Sequence, residues 1–242
     1  VLRIKDRLLV ALDVDDLEQA RRLMDRLQGQ VTTYKIGAQL LTAAGPEAVP
    51  LVRRRGFGVF YDAKFHDIPR TVEAAVGAAC RLGATLVNVH AGGGSEMMAA
   101  AAKAAREVAH KLRQPKALVL AVTVLTSLNQ KMVSEELGIR RTLENQVVKL
   151  ARLARTAGLD GVVASPREIT AIRKACGPEF AILTPGIRPR GADKGDQKRT
   201  LTPGEAIAAG ADYIVVGRPV VCSKDPLNLV RQIQREMEEA VV

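Results

Sequence analysis

The chain has 242 residues, a mass of 26.0 kDa and a formal net charge of +10, with 47% apolar and 26% charged residues. That composition excludes dominant disorder and suits one globular unit, since a single α/β barrel commonly fills about 200–250 residues. The apolar run Ala117–Val122 falls far short of the roughly 18 residues that a membrane-spanning helix needs, and Leu8–Leu12, stopped by Asp13, is too short for a signal-peptide core. One domain over 1–242, located in the cytoplasm, is the expectation.

Short apolar or β-branched runs alternate with helical patterns from end to end. The predicted strands are Leu8–Val14, Thr33–Gly37, Val59–Lys64, Leu86–His90, Leu118–Val124, Gly161–Ala164, Ala181–Thr184 and Tyr213–Gly217. Between and after them the spacing predicts helices over Leu17–Leu27, Gly45–Arg54, Pro69–Arg81, Ser95–Arg113, Glu144–Ala157, Pro166–Cys176, Pro203–Ala208 and Pro226–Glu239. Proline opens several of them, as suits a first helical turn, and Gly83 follows the end of one. Strand–helix units of about thirty residues fit a (β/α)8 TIM barrel in number and size. The strands are nearly all apolar, as in a parallel sheet covered on both faces. An open doubly wound sheet is the rival, but the first strand ends Asp13-Val14-Asp15-Asp16, without the glycine-rich turn of that fold.

The positive charge is compatible with nucleic acid, an anionic membrane surface or an anionic small substrate. Trp is absent and there are only 4 Phe and 3 Tyr, which leaves few stacking platforms for single strands. Neither a nucleic-acid nor a membrane partner is therefore expected. Arg53-Arg54-Arg55 reads as a solvated helix end, where cations complement the helix dipole. Cys80, Cys176 and Cys222 are widely spaced and form no Cys-x-x-Cys pair, so they read as small buried apolar residues, not as a disulfide frame or zinc site.

In such a barrel the active site lies at the C-terminal ends of the strands. The polar residues there are Asp13, Lys35, Asp62, Lys64, Asp67, His90, Thr123, Thr126, Arg188 and Arg218. Asp62-Ala63-Lys64-Phe65-His66-Asp67-Ile68-Pro69 is the densest group. Positions i and i+2 share a strand face, so Asp62 and Lys64 both point to the barrel mouth, with Lys35 one strand away. The expected result is an alternating array of Lys35, Asp62, Lys64 and Asp67. Flanking carboxylates keep such lysines as ammonium, which suits proton donation rather than Schiff-base attack. A purely structural ion-pair network is the bland alternative, but charges in an apolar strand are costly unless paired or functional. A second cluster, the glycine-rich basic stretch Gly186–Leu201 together with Gly217-Arg218-Pro219, has the ingredients of the barrel phosphate site. His90 and His66 read more readily as structural residues than as bases. Gly92-Gly93-Gly94 reads as a permissive turn.

The octet Asp62–Pro69 resembles the signature of the orotidine 5′-phosphate decarboxylase family. The segments Leu9–Asp13, Tyr34–Gly37, Val122–Ser127, Leu183–Arg188 and Tyr213–Pro219 resemble family segments in the same order. The resemblance spans nearly the whole chain, and its length fits the short bacterial form. It implies conversion of orotidine 5′-monophosphate to uridine 5′-monophosphate and carbon dioxide, the last step of pyrimidine synthesis, by a homodimer with no metal or organic cofactor. It implies Lys64 as proton donor to C6 of the pyrimidine, Asp62 facing the departing carboxylate, Lys35 holding Asp62 and the ribose hydroxyls, and Asp13 on the ribose side. Asp67, Ile68 and Thr71 would reach the partner's site, and Thr126 would contact the pyrimidine. Gln197, Arg188, Arg218 and the Gly217 N–H would serve the phosphate.

The nearest rivals are magnesium-dependent sugar-phosphate decarboxylases and hexulose-phosphate synthases on the same barrel, which share Asp-x-Lys-x-x-Asp. Lys35 disfavours a metal, because two ammonium groups beside Asp62 repel a divalent cation.

Overall fold

The computed structural model describes residues 3–190 and 200–240. Among them the strands are β1 (Leu8–Ala11), β2 (Thr33–Gly37), β3 (Gly58–Phe65), β4 (Leu86–His90), β5 (Leu118–Val122), β6 (Gly161–Val163), β7 (Ala181–Thr184) and β8 (Tyr213–Val216). All pair in parallel, each with the next, and β8 returns to β1 through Leu8↔Ile214, Leu9↔Val215 and Val10↔Val216 to close the barrel. The fold is a (β/α)8 barrel.

Strand alternation divides the apolar residues into two cores. Leu9, Ala11, Phe60, Leu86, Leu120, Val122, Val163, Leu183 and Val215 fill the barrel interior. Their neighbours Leu8, Val10, Ile36, Val59, Val87, Val119, Val162, Ile182 and Ile214 point outward into the layer beneath the helices. Both faces are thus dry, which explains why the strands read as unbroken apolar runs.

Local signals set the helix ends. The Asp16 carboxylate accepts the Gln19 N–H at 2.7 Å and caps Leu17–Arg26. Capping boxes built on Ser165 and Thr202 precede Pro166 and Pro203. Helix Pro69–Leu82 stops at Gly83, whose φ of 104° lies in the left-handed region.

Several predicted boundaries shift. β1 ends at Ala11 and β5 at Val122, because the chain leaves the ladder where the mouth begins. The segment expected as one helix over Gly45–Arg54 is instead a 3-10 turn Gly45–Glu47 and a helix Ala48–Arg53. Gly45, with φ 61°, ends the preceding helix Ala38–Ala44 and starts the 3-10 turn. The short helices Ile4–Arg7, Ala38–Ala44, Gln130–Glu135 and Arg218–Val221 were not expected; each spans two turns or fewer. Cys80 and Cys176 are buried as expected, but Cys222 is exposed, because it follows the four-residue helix Arg218–Val221 at the rim. No helix among the described residues is long and apolar enough to cross a membrane.

Candidate active site

The mouth of the barrel carries a row of alternating charges. Lys35 Nζ donates to Asp13 Oδ1 at 2.8 Å and stands 3.3 Å from Asp62 Oδ2. Lys64 Nζ donates to Asp62 Oδ1 at 2.6 Å. The row therefore runs Asp13, Lys35, Asp62, Lys64 over three neighbouring strands. Burial acts to lower the Lys35 pKa, but Asp62 and Asp13 outweigh it and hold the ammonium above the usual lysine range. The two lysines differ in access. The Lys35 side chain is 12% exposed and that of Lys64 is 37%. Lys35 is thus enclosed by its carboxylates, whereas Lys64 is open to the cavity.

The array differs from the expected one at its end. Asp67 is exposed, and its Oδ1 accepts the N–H of the adjacent Ile68 at 2.6 Å. After Phe65 the chain turns outward toward the proline that opens the next helix, so the terminal carboxylate is Asp13 and not Asp67. Ile68, 66% exposed, and Thr71, on the first turn of helix Pro69–Leu82, also lie on the outside.

Plain pleating does not account for Lys64. The register between β3 and β4 shifts between Tyr61 and Phe65, and Lys64 has φ 51°. A bulge with a lysine in the left-handed region re-aims the side chain toward Asp62. Asn88 on β4 sits opposite. Its Oδ1 accepts the Lys64 N–H at 2.8 Å and its Nδ2 donates to Asp62 Oδ1 at 2.7 Å. The sequence reading missed this residue, although a fully buried amide within Leu86-Val87-Asn88-Val89-His90 is the kind of polar exception that marks a site.

The charged row forms one wall of a cavity of roughly 250 Å³. Ala11, Phe60, Val122, Val163, Leu183 and Val215 make an apolar floor, and Thr126 lies on the lining. Gly186, Arg188, Gly217 and Arg218 stand on the lining as well, which adds a basic stretch to a cavity that is apolar below and charged on one side. The base of the stretch after β7 is pinned by an Ile187↔Leu201 bridge, with the Arg188 N–H donating to Leu201 O at 3.0 Å. Gln197 lies outside the described residues.

Other candidates take structural places. Thr123 is buried, and its Oγ1 donates to Val163 O at 3.3 Å. The His90 and His66 rings lie 5.3 Å apart and are not among the residues that line the cavity. Burial first, then the neighbouring His66 and Lys64, push the His90 pKa below the usual histidine value.

A parallel eight-stranded barrel with a paired ammonium–carboxylate row at the C-terminal mouth, above an apolar floor, defines a (β/α)8 protein with an enzyme-like small-molecule cavity. The family model described as orotidine 5′-phosphate decarboxylase / HUMPS family matches residues 6–233, and the chain belongs to that family. It is 54% identical over 237 residues to the orotidine 5′-phosphate decarboxylase of Moorella thermoacetica, covering 98% of this chain and 94% of that one. It is 49% identical over 241 residues to the protein of the same name from Syntrophotalea carbinolica, covering 100% and 98%. The crystal structure of orotidine 5′-phosphate decarboxylase from Lactobacillus acidophilus superposes with a TM-score of 0.83 at 34% identity, covering 96% of this chain and 99% of that one.

Proposed function

We propose that the protein decarboxylates orotidine 5′-monophosphate to uridine 5′-monophosphate, with Lys64 delivering the proton to C6. The observation that carries this reading is the Lys64–Asp62–Lys35–Asp13 row, in which the Lys64 ammonium is open to the cavity while Asp62 and Lys35 behind it are enclosed. Similarity to decarboxylases over nearly the full chain supports it.

The chemistry follows from charge. Loss of carbon dioxide leaves an electron pair on a ring carbon with little resonance relief. A fixed ammonium beside that carbon stabilises the developing charge and then supplies the proton. Asp62 aims Lys64 through their 2.6 Å contact and faces the departing carboxylate. Lys35 in turn holds Asp62 and Asp13, the latter on the ribose side. Thr126 meets the pyrimidine. Arg188, Gln197, Gly217 and Arg218 take the phosphate, and binding energy gained there serves the reaction at the far end of the nucleotide.

Two copies form the working unit in this reading, with Asp67, Ile68 and Thr71 completing the partner's site. Their exposure on the outside of their own barrel supports that role. The reaction needs no metal or organic cofactor. Lys35 Nζ, 3.3 Å from Asp62, repels a divalent cation from the position that a magnesium-dependent sugar-phosphate enzyme would require. The assignment makes this an enzyme of pyrimidine synthesis acting in the cytoplasm.

The test is to mix chelator-treated protein with orotidine 5′-monophosphate and follow the pyrimidine absorbance. Conversion to uridine 5′-monophosphate is expected. A folded protein that leaves the nucleotide intact but acts on a sugar phosphate with magnesium overturns the assignment.

A further inference from the structure

We propose that Asn88 is a positioning residue that clamps the Asp62 carboxylate and the Lys64 backbone together across the β3 bulge, fixing the proton donor relative to its partner. This rests on the reading of Lys64 as proton donor.

The register makes the geometry clear. Tyr61 pairs with Val87 and Phe65 with Val89, so Asp62, Ala63 and Lys64 all face the single residue Asn88. Its neighbours along the inner face of β4 are Leu86 and His90. The Asn88 side chain meets the bulge as a peptide unit would, accepting the Lys64 N–H at 2.8 Å and donating to Asp62 Oδ1 at 2.7 Å. The orientation of the amide is forced: a backbone N–H only donates and an ionised carboxylate only accepts, so the flipped amide would oppose both.

Two features separate this from ordinary core packing. Asn88 is 0% exposed in a barrel interior otherwise filled by Leu, Val, Ala and Phe. An aliphatic side chain would fill the layer but leave Asp62 Oδ1 a donor short and the Lys64 N–H without this acceptor. The clamp also holds a lysine whose φ of 51° is intrinsically disfavoured, so the amide stabilises the conformation that aims Nζ.

The test uses Asn88→Ala and Asn88→Asp in the full protein. Asn88→Ala is expected to lower kcat by about 100-fold through misplacement of the donor. KM should stay within about threefold, because the groups that bind the rest of the nucleotide are untouched. In Asn88→Asp the new carboxyl still accepts from Lys64, but it donates to Asp62 only when protonated. Its activity relative to the Asn88→Ala variant is therefore expected to climb as the pH falls from about 8 to about 5. Asp62 and Lys64 of β3, Lys35 of β2, Asp13 beyond β1 and His90 of β4 also face this region, and reading one variant against the other removes the pH dependence that the two share. A kcat within about threefold of the unsubstituted protein, or a ratio that does not change with pH, overturns the clamp. If Asn88→Ala does not fold, the same acid recovery is read against the unsubstituted protein. Turnover by the unsubstituted protein tests the functional reading separately. Should that fail, the clamp is judged by hydrogen exchange at the Lys64 amide: acceleration of about tenfold or more in Asn88→Ala supports it, and an unchanged rate overturns it.

Discussion

Gly37 is the residue that leaves room for the Lys35 ammonium: a Cβ placed on Gly37 would stand 2.6 Å from Lys35 Nζ. The same Cβ would lie 3.2 Å from Asp13 Oδ1. The backbone at Gly37 is extended, with φ −100° and ψ −176°, a conformation open to any residue. Gly37→Ala is therefore expected to fold while pushing the ammonium out of its place between Asp13 and Asp62. The outcome is a loss of about 100-fold in kcat/KM, or about 2.7 kcal/mol, with only a small change in thermal midpoint. Steady-state kinetics beside a melting curve check it; undiminished activity would show that Lys35 does not need that position.

Lys64 combines chemistry with backbone strain. Its left-handed φ costs a non-glycine residue about 1–2 kcal/mol. Lys64→Ala and Lys64→Gly are both expected to abolish turnover while still binding the product nucleotide, as calorimetry would report. In urea unfolding the glycine variant should be the more stable of the two by about 0.5–1 kcal/mol, since glycine accepts that φ freely but gains more freedom on unfolding. Equal stabilities would mean that the bulge relaxes when the lysine is removed.

The histidine pair links stability to acid. Burial, then His66 and Lys64, lower the His90 pKa in the folded state. As the pH falls below the ordinary histidine value, the unfolded chain takes up a proton that folded His90 resists, and stability is lost until the folded-state pKa is passed. The contribution is complete above the unfolded pKa, near the ordinary value of 6.5. Denaturant melts at pH values on either side of that point should show a shallower acid loss for His90→Gln than for the unsubstituted protein. Parallel slopes would remove His90 from the account.

Arg218 opens a short helix at the end of β8 on the cavity lining. If it takes the phosphate, Arg218→Ala should lower kcat/KM on orotidine 5′-monophosphate by about 3 kcal/mol, the scale of lost charge-assisted contacts. The phosphate-free nucleoside should be processed equally by both proteins. A matched loss on the nucleoside would place the effect in the fold instead of in phosphate binding.

The sequence read the helices well where a proline start marked them. Pro203–Ala208 and Pro226–Glu239 coincide with the observed helices, because a proline start and an apolar stripe mark both. Ile4–Arg7 and Gln130–Glu135 escaped because both are short and neither opens with a proline. At the site, the Asp62–Lys64 pair was legible from spacing, yet the reason for it was not. Pleating put both on one face, whereas the structure uses a bulge and a positive φ. The choice between Asp13 and Asp67 as the end of the row was also hidden, since it depends on where the chain turns after Phe65. Asn88 stood out only as a polar residue in an apolar strand; its role was hidden because it comes from a register shift in the neighbouring strand.

The two walls of the cavity are far apart along the chain. The Asp13–Lys64 segment carries the ion-pair row, while Gly186, Arg188, Gly217 and Arg218 carry the basic side, and β8 meets β1 only when the ring is complete. During synthesis the residues of the first wall emerge well before those they will face. Closure of the last seam finishes the fold and the site in one event, so half a barrel, however well it folds, has a charge row with no cavity to serve.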